Sequence, residues 1–184
     1  KIDKKLPVNM KSEVLKRLEK LRAEINDMDN AVRDDMNNGG LKDADVFIGV
    51  SVGNILRPEW VETMAIDPVV FALANPTPEI MPDLAKKAGA KVVATGRPDF
   101  SNQLNNSLVF PGLFDGVLNA GVRIISDDIK ILAAKTIASM VTKQELDYDY
   151  IIPNPLDKSV AKNIAACIID YVRNLTTEFN KRPI

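Results

Sequence analysis

Residues 69–95 read "VVFALANPTPEIMPDLAKKAGAKVVAT", and this stretch decides the fold. It begins with the apolar run Val69–Ala74 and ends with Lys91–Thr95; between them lies "MPDLAKKAG", a helix closed by Gly89. The pattern is strand, helix, strand. One unit upstream, "DVFIGV" (Asp45–Val50) is a third apolar run, followed by "PEWVETMAI". Pro58 opens that segment as a helix, at a position where its missing N–H costs nothing. The three strands are continuous apolar runs rather than alternating ones, which suits strands buried on both faces of a parallel sheet. Strand, helix, strand, helix, strand implies βαβ units with right-handed crossovers.

Downstream the chain reads as mostly helical. One helix is expected over about residues 105–120. A second, "SDDIKILAAKTIASMVT", has Ser126 as N-cap and Asp127 and Asp128 in its first turn, where they favour the helix dipole. "DYIIPNP" (Asp149–Pro155) is read as an extended segment, and a last helix is expected over about 158–178.

Upstream, residues 11–36 read as a helix capped by Ser12. Val14, Leu18, Leu21, Ile25, Met28 and Val32 alternate spacings of four and three, a heptad seam. Such a helix either lies on its own domain or pairs with another chain. "NNGG" (Asn37–Gly40) stops it. The expected organisation is therefore a helical segment, 1–40, followed by an α/β domain, 41–184.

The 184 residues are 46% hydrophobic, enough for one ordinary core. The net charge of −1 argues against nucleic acid or a membrane surface as the main partner. No apolar stretch is long enough to span a bilayer, and "KIDKKLPVNMK" is basic but has no hydrophobic core of a secretory signal. Cys167 is the only cysteine, so no internal disulfide can form; its apolar neighbours suggest a core thiol. There is no histidine, which removes the commonest general base and histidine metal sites. Carboxylates, lysine, tyrosine, amides or a cofactor must carry any chemistry.

In an open parallel sheet, ligands bind beyond the carboxyl ends of the strands. Three segments should meet there: "GVSVGN" (49–54), "ANPTPE" (74–79) and "TGRPDFSNQLNN" (95–106). All three hold small or amide residues. Each also has a plainer reading. "GVSVGN" does not fit GxGxxG and can be a simple turn; Asn75-Pro76 is a favoured turn dipeptide; Asn105 and Asn106 can cap the helix that follows. Arg97 can bind an anion or pair with Asp99, two residues away.

Elsewhere the plain readings prevail. Asp127 and Asp128 suit a helix first turn better than a metal site. Tyr148 and Tyr150 suit a strand start with wetted hydroxyls. Tyr171 falls in the last helix, and Lys86, Lys87 and Lys91 look like solvated charges.

Four stretches, "ADVFIGVSVGNILRPEWV", "VVFALANPTPEI", "VVATGRPDFSNQLNNSLVFPGLFDG" and "DYIIPNPLDKSVAKNIA", together resemble the later part of malic enzymes of the short bacterial type, over residues 41–175. The resemblance implies a Rossmann-like parallel sheet with flanking helices, and oxidative decarboxylation of malate to pyruvate with reduction of NAD or NADP. It implies that Asn75, Asn105 and Asn106 contact the substrate, and that Ser51, Val52 and Asn75 line the cofactor. An amide can donate to a carboxylate without adding a charge that must be desolvated. By the same resemblance a base takes the hydroxyl proton as hydride leaves C2, and a divalent metal, Mg or Mn, polarises the carbonyl during loss of carbon dioxide.

The acid–base tyrosine and lysine, the metal ligands and the first Gly-rich phosphate turn of that family have no counterpart in these residues. The sheet is therefore expected to be incomplete, preceded by the amphipathic helix. The chain alone is expected to be inactive, with no catalytic residue or metal ligand of its own. The remainder of an enzyme would be its partner, in a cytoplasmic homo-oligomer. A competing reading is a catalytically inactive module that binds a dinucleotide weakly or self-associates. A third is a different dehydrogenase on the same sheet.

Overall fold

The computed structural model describes Lys20, Asp34, Asp35 and residues 37–180. Apart from Lys20, Asp34 and Asp35, all helical, the heptad segment 11–36 lies outside the described residues. Its stop is visible. Gly39 takes a positive φ of 89°, and the Gly40 N–H donates back to Asp35 O at 3.0 Å. This is the six-to-one bond of a glycine-terminated helix.

The three expected strands form one parallel sheet in the order β1 (Val46–Gly49), β2 (Val69–Ala72), β3 (Val92–Thr95). The register aligns Val46 with Val69 and Val69 with Val92. The crossovers carry α1 (Pro58–Val61) and α2 (Pro82–Lys87). Both helices begin at proline, where φ is already helical. Leu56, Val61, Met64, Ala85 and Ala88 from the crossovers bury against Phe47, Val70, Ala72 and Val93 of the sheet. Each large side chain so buried contributes about 1.5–3 kcal/mol relative to exposure.

Three expectations need correction. The strands are not buried on both faces: on β1, Val46 and Ile48 are 49% and 62% exposed while Phe47 and Gly49 are buried. No described element covers that face of β1. The helix expected over Pro58–Ile66 is a single turn. Its continuation is captured by the preceding loop, with Asp43 N–H donating to Thr63 O and Ala65 N–H to Ala44 O. "DYIIPNP" is not a strand. An antiparallel bridge pairs Asp147 with Tyr150, and the backbone beyond turns away under side-chain control from Asn102.

The remaining residues build a second, helical core. A 3₁₀ turn (Asn106–Leu108) leads into α3 (Phe110–Asn119), then α4 (Asp127–Ser139) and α5 (Lys158–Asn180). Ser126 caps α4 by accepting from Ile129 N–H. Leu113, Val117, Ile129, Ala133, Val160, Ile164 and Ile168 pack together. Gly112 and Gly116 lie against α5, where a Cβ on Gly112 would come within 2.5 Å of Ala161 O. That spacing lets the two backbones approach closely, and filling it would strain the pair by about 1–3 kcal/mol. Cys167 is half-buried rather than part of this core.

Candidate functional site

The carboxyl ends of the strands bring the three loops to one edge of the sheet, as parallel topology requires. The first two loops are stitched together. Asn54 N–H donates to Pro78 O at 2.9 Å and Leu56 N–H to Glu79 O at 3.0 Å. Glu79 is fully buried. Its Oε1 accepts from Ser51 N–H and its Oε2 from Ala74 N–H, each at 2.9 Å. Gly53 abuts Thr77, where a Cβ would approach within 2.7 Å. The peptide bond Asn75-Pro76 is cis.

The third loop joins the second through one backbone carbonyl, Pro76 O, to which Arg97 Nη1 donates at 3.3 Å. Within the third loop, Asn105 Nδ2 donates to Gly96 O at 2.9 Å. Arg97 Nε and Nη2 donate to Asp99, at 2.8 and 2.6 Å. That hydrogen bond is the main cause holding the Asp99 carboxyl below the usual range and the guanidinium above it. Of the two readings of Arg97, the local ion pair is the one realised.

The amides divide sharply. Asn102 is buried, with a positive φ of 55°. It donates to Val93 O (3.1 Å) and Tyr148 O (2.7 Å) and accepts from Ile151 N–H (2.9 Å). It is a structural clamp. Asn105 is half-buried; its Oδ1 caps the 3₁₀ turn by accepting from Ser107 N–H at 2.9 Å. One of its amide hydrogens remains unused. Asn75 and Asn106 are exposed, and neither side chain bonds to any described residue. The Ser51 hydroxyl is likewise unspent, and Val52 is half-buried beside it.

The Asn105–Asn106 pair borders a groove of about 440 Å³, whose walls include Leu104, Phe110, Ile137 and Ile152. Asn75 and Ser51 lie outside that groove. The edge thus offers neutral donors at Ser51, Asn75, Asn105 and Asn106, which can bind and orient an anionic ligand; Lys130, paired with Asp127, also lines the groove.

These residues suit the ring end of a dinucleotide and a small carboxylate. The first loop holds no GxGxxG turn for a pyrophosphate. Among the described residues no cluster of three or more His, Cys, Asp or Glu could hold a metal ion. The described residues do not fit a metal. No described helix is long and apolar enough to cross a membrane.

Sequence reasoning missed Glu79 and the clamp role of Asn102. The signal for Glu79 was an acidic residue set between Pro78 and "IM", in a stretch otherwise bound for the core.

A parallel sheet crossed by helices, with its connecting loops gathered at the carboxyl edge, is a Rossmann-like fold. The profile of "Malic enzyme, NAD binding domain" matches residues 40–173, and the chain belongs to that family. It is 51% identical over 152 residues to the bifunctional malic/malolactic enzyme of Bacillus subtilis, covering 78% of this chain and 37% of that protein. It is 50% identical over 127 residues to the NAD-dependent malic enzyme of Geobacillus stearothermophilus, covering 69% and 26%. The crystal structure of malic enzyme from Pyrococcus horikoshii superimposes with a TM-score of 0.69 at 46% identity, over 74% of this chain and 31% of that one. The chain spans between about a quarter and two fifths of the length of these relatives.

Proposed function

We propose that the chain is part of a malic enzyme that converts malate to pyruvate with reduction of NAD or NADP. In this reading Ser51, Val52 and Asn75 contact the cofactor, and Asn75, Asn105 and Asn106 contact malate. The nicotinamide, when bound, accepts hydride from C2 of the substrate. The work of this chain is placement. Asn75 and Asn106 donate N–H groups to a carboxylate, and the spare Asn105 hydrogen adds a third donor direction. The observation that carries the reading is the contrast among the amides: Asn102 is fully engaged by the fold and Asn105 partly so, while Asn75 and Asn106 are left open to solvent.

Acid–base and metal groups come from the remainder of the enzyme. The division into a helical segment, 1–40, and an α/β domain, 41–184, belongs to the same proposal, supported by a family match that begins at residue 40. So do a homo-oligomeric assembly and a cytoplasmic setting. The pure 184-residue chain, given malate, Mn²⁺ and NAD or NADP, should show no rise in absorbance at the reduced-nicotinamide band. Sustained turnover would contradict the division of roles.

A further inference from the structure

Resting on the cofactor and substrate roles just proposed, we propose that Glu79 is a positioning residue that sets Ser51 and Asn75 for the ligand. Its carboxylate is the only side chain among the described residues bonded to both ligand-facing loops of β1 and β2. Oε1 takes the backbone N–H of Ser51 and Oε2 takes that of Ala74, the residue before Asn75. Ser51 and Ala74, 23 positions apart in sequence, are thereby held on one rigid group, a bidentate acceptor with little rotational freedom once both oxygens are occupied. Among the described residues it has no ion pair, and its partners are backbone N–H groups alone.

Burying a carboxylate without a cation is costly, and a fold needing only to join two loops could do so with neutral groups. The chemistry also explains the residue type. Both oxygens act as acceptors, so a glutamine at this position would turn its NH₂ toward one of the two N–H donors and orphan it. An aspartate would be one methylene too short to reach both. Gly49, at the end of β1, completes the device: a Cβ there would lie 2.5 Å from Glu79 Cδ, so the side chain crosses the strand only because that Cβ is missing. Sequence position 49 and position 79 are thus two halves of one feature.

The test uses the full 184-residue chain, ¹⁵N-labelled, as wild type, Glu79→Gln, Glu79→Asp and Gly49→Ala. Amide exchange is read at Ser51 and Ala74, with Val70 and Val93 reporting global opening, and each protein is titrated with NADH. In wild type, Ser51 and Ala74 should be protected, and NADH should shift Ser51 and Asn75. In Glu79→Gln one of the two amides should exchange about ten- to a hundredfold faster, with Val70 and Val93 nearly unchanged. Saturation of the Asn75 shift should need at least about tenfold more NADH, the equivalent of one lost hydrogen bond. Glu79→Asp should recover part of the loss, and Gly49→Ala should reproduce it without changing charge.

Unprotected Ser51 and Ala74 in wild type would overturn the clasp with no variant needed. Shifts that persist undiminished in Glu79→Gln and Gly49→Ala would overturn the positioning role alone. Absence of any NADH shift in a wild type with both amides protected would sink the proposed function, and with it the purpose assigned to Glu79.

Discussion

Asn102 and Asn106 stand four residues apart on one loop and have opposite fates. Asn102 is enclosed and makes three hydrogen bonds to backbone groups of β3 and the 148–151 turn. Asn106 is exposed and makes none with any described residue. Asn105, beside it, is intermediate: it caps a turn, ties down Gly96 and keeps one hydrogen. The difference is one of local demand. Buried backbone carbonyls and N–H groups near β3 need partners, because an orphan there costs about 1–3 kcal/mol. At the open edge water satisfies the backbone, and a side-chain amide is free for a ligand. An amide-rich segment is therefore not one functional unit but a gradient from scaffold to site.

The hardest blow to this contrast is Asn102→Ala. Losing three hydrogen bonds should cost about 1.5–4.5 kcal/mol, taking each as about 0.5–1.5. A left-handed backbone at alanine adds to this. Urea unfolding should show a lower midpoint, and Asn102→Gly, which relieves the backbone but not the bonds, should recover only part of it. An unchanged midpoint would mean that the clamp is not structural.

Asn105→Ala should cost about 1 kcal/mol, the usual value of a lost cap, read by the same unfolding curve. A loss as large as that of Asn102→Ala would erase the gradient.

A smaller effect tests the turn that Asn102 holds. Lys86 donates to Asp149, and so does the Ser101 hydroxyl. The Lys86 hydrogen bond is the main cause pulling the Asp149 carboxyl below its ordinary range, against a smaller effect of burial. A folded value below the unfolded one means that the pair stabilises above the unfolded pKa of about 3.9 and loses this as pH falls through the folded value. Asp149 is 53% exposed, so solvent screening keeps the gain under about 1 kcal/mol. The stability difference between wild type and Asp149→Asn should be present at neutral pH and vanish in strong acid. A difference that grows on acidification would reverse the sign.

Much of this was legible in the residues. The strands showed themselves because "DVFIGV", "VVFALA" and "KVVAT" are short apolar runs bounded by turn residues, and their pairing order follows from short crossovers. The amides at the edge were visible as a cluster, but their division was not. Whether an asparagine is spent depends on which buried backbone groups lie within about 3 Å of it, and Tyr148 and Ile151, the partners of Asn102, lie more than forty positions away. Glu79 was hidden for the same reason, since its meaning lies in Ser51 N–H, 28 residues upstream. The shortened α1 reflects capture of its backbone by residues 43–44, a tertiary contact that no local pattern encodes.

The side-chain amide resonances of asparagine read the central contrast directly. The labelled 184-residue chain is titrated with NADH and malate, beside Asn75→Ala and Asn106→Ala, whose stability should match wild type within about 0.5 kcal/mol. Movement of the Asn75 and Asn106 NH₂ signals, with Asn102 fixed, is the expected result. Unmoved Asn75 and Asn106 signals in the presence of saturating ligand, or movement confined to Asn102, would contradict it.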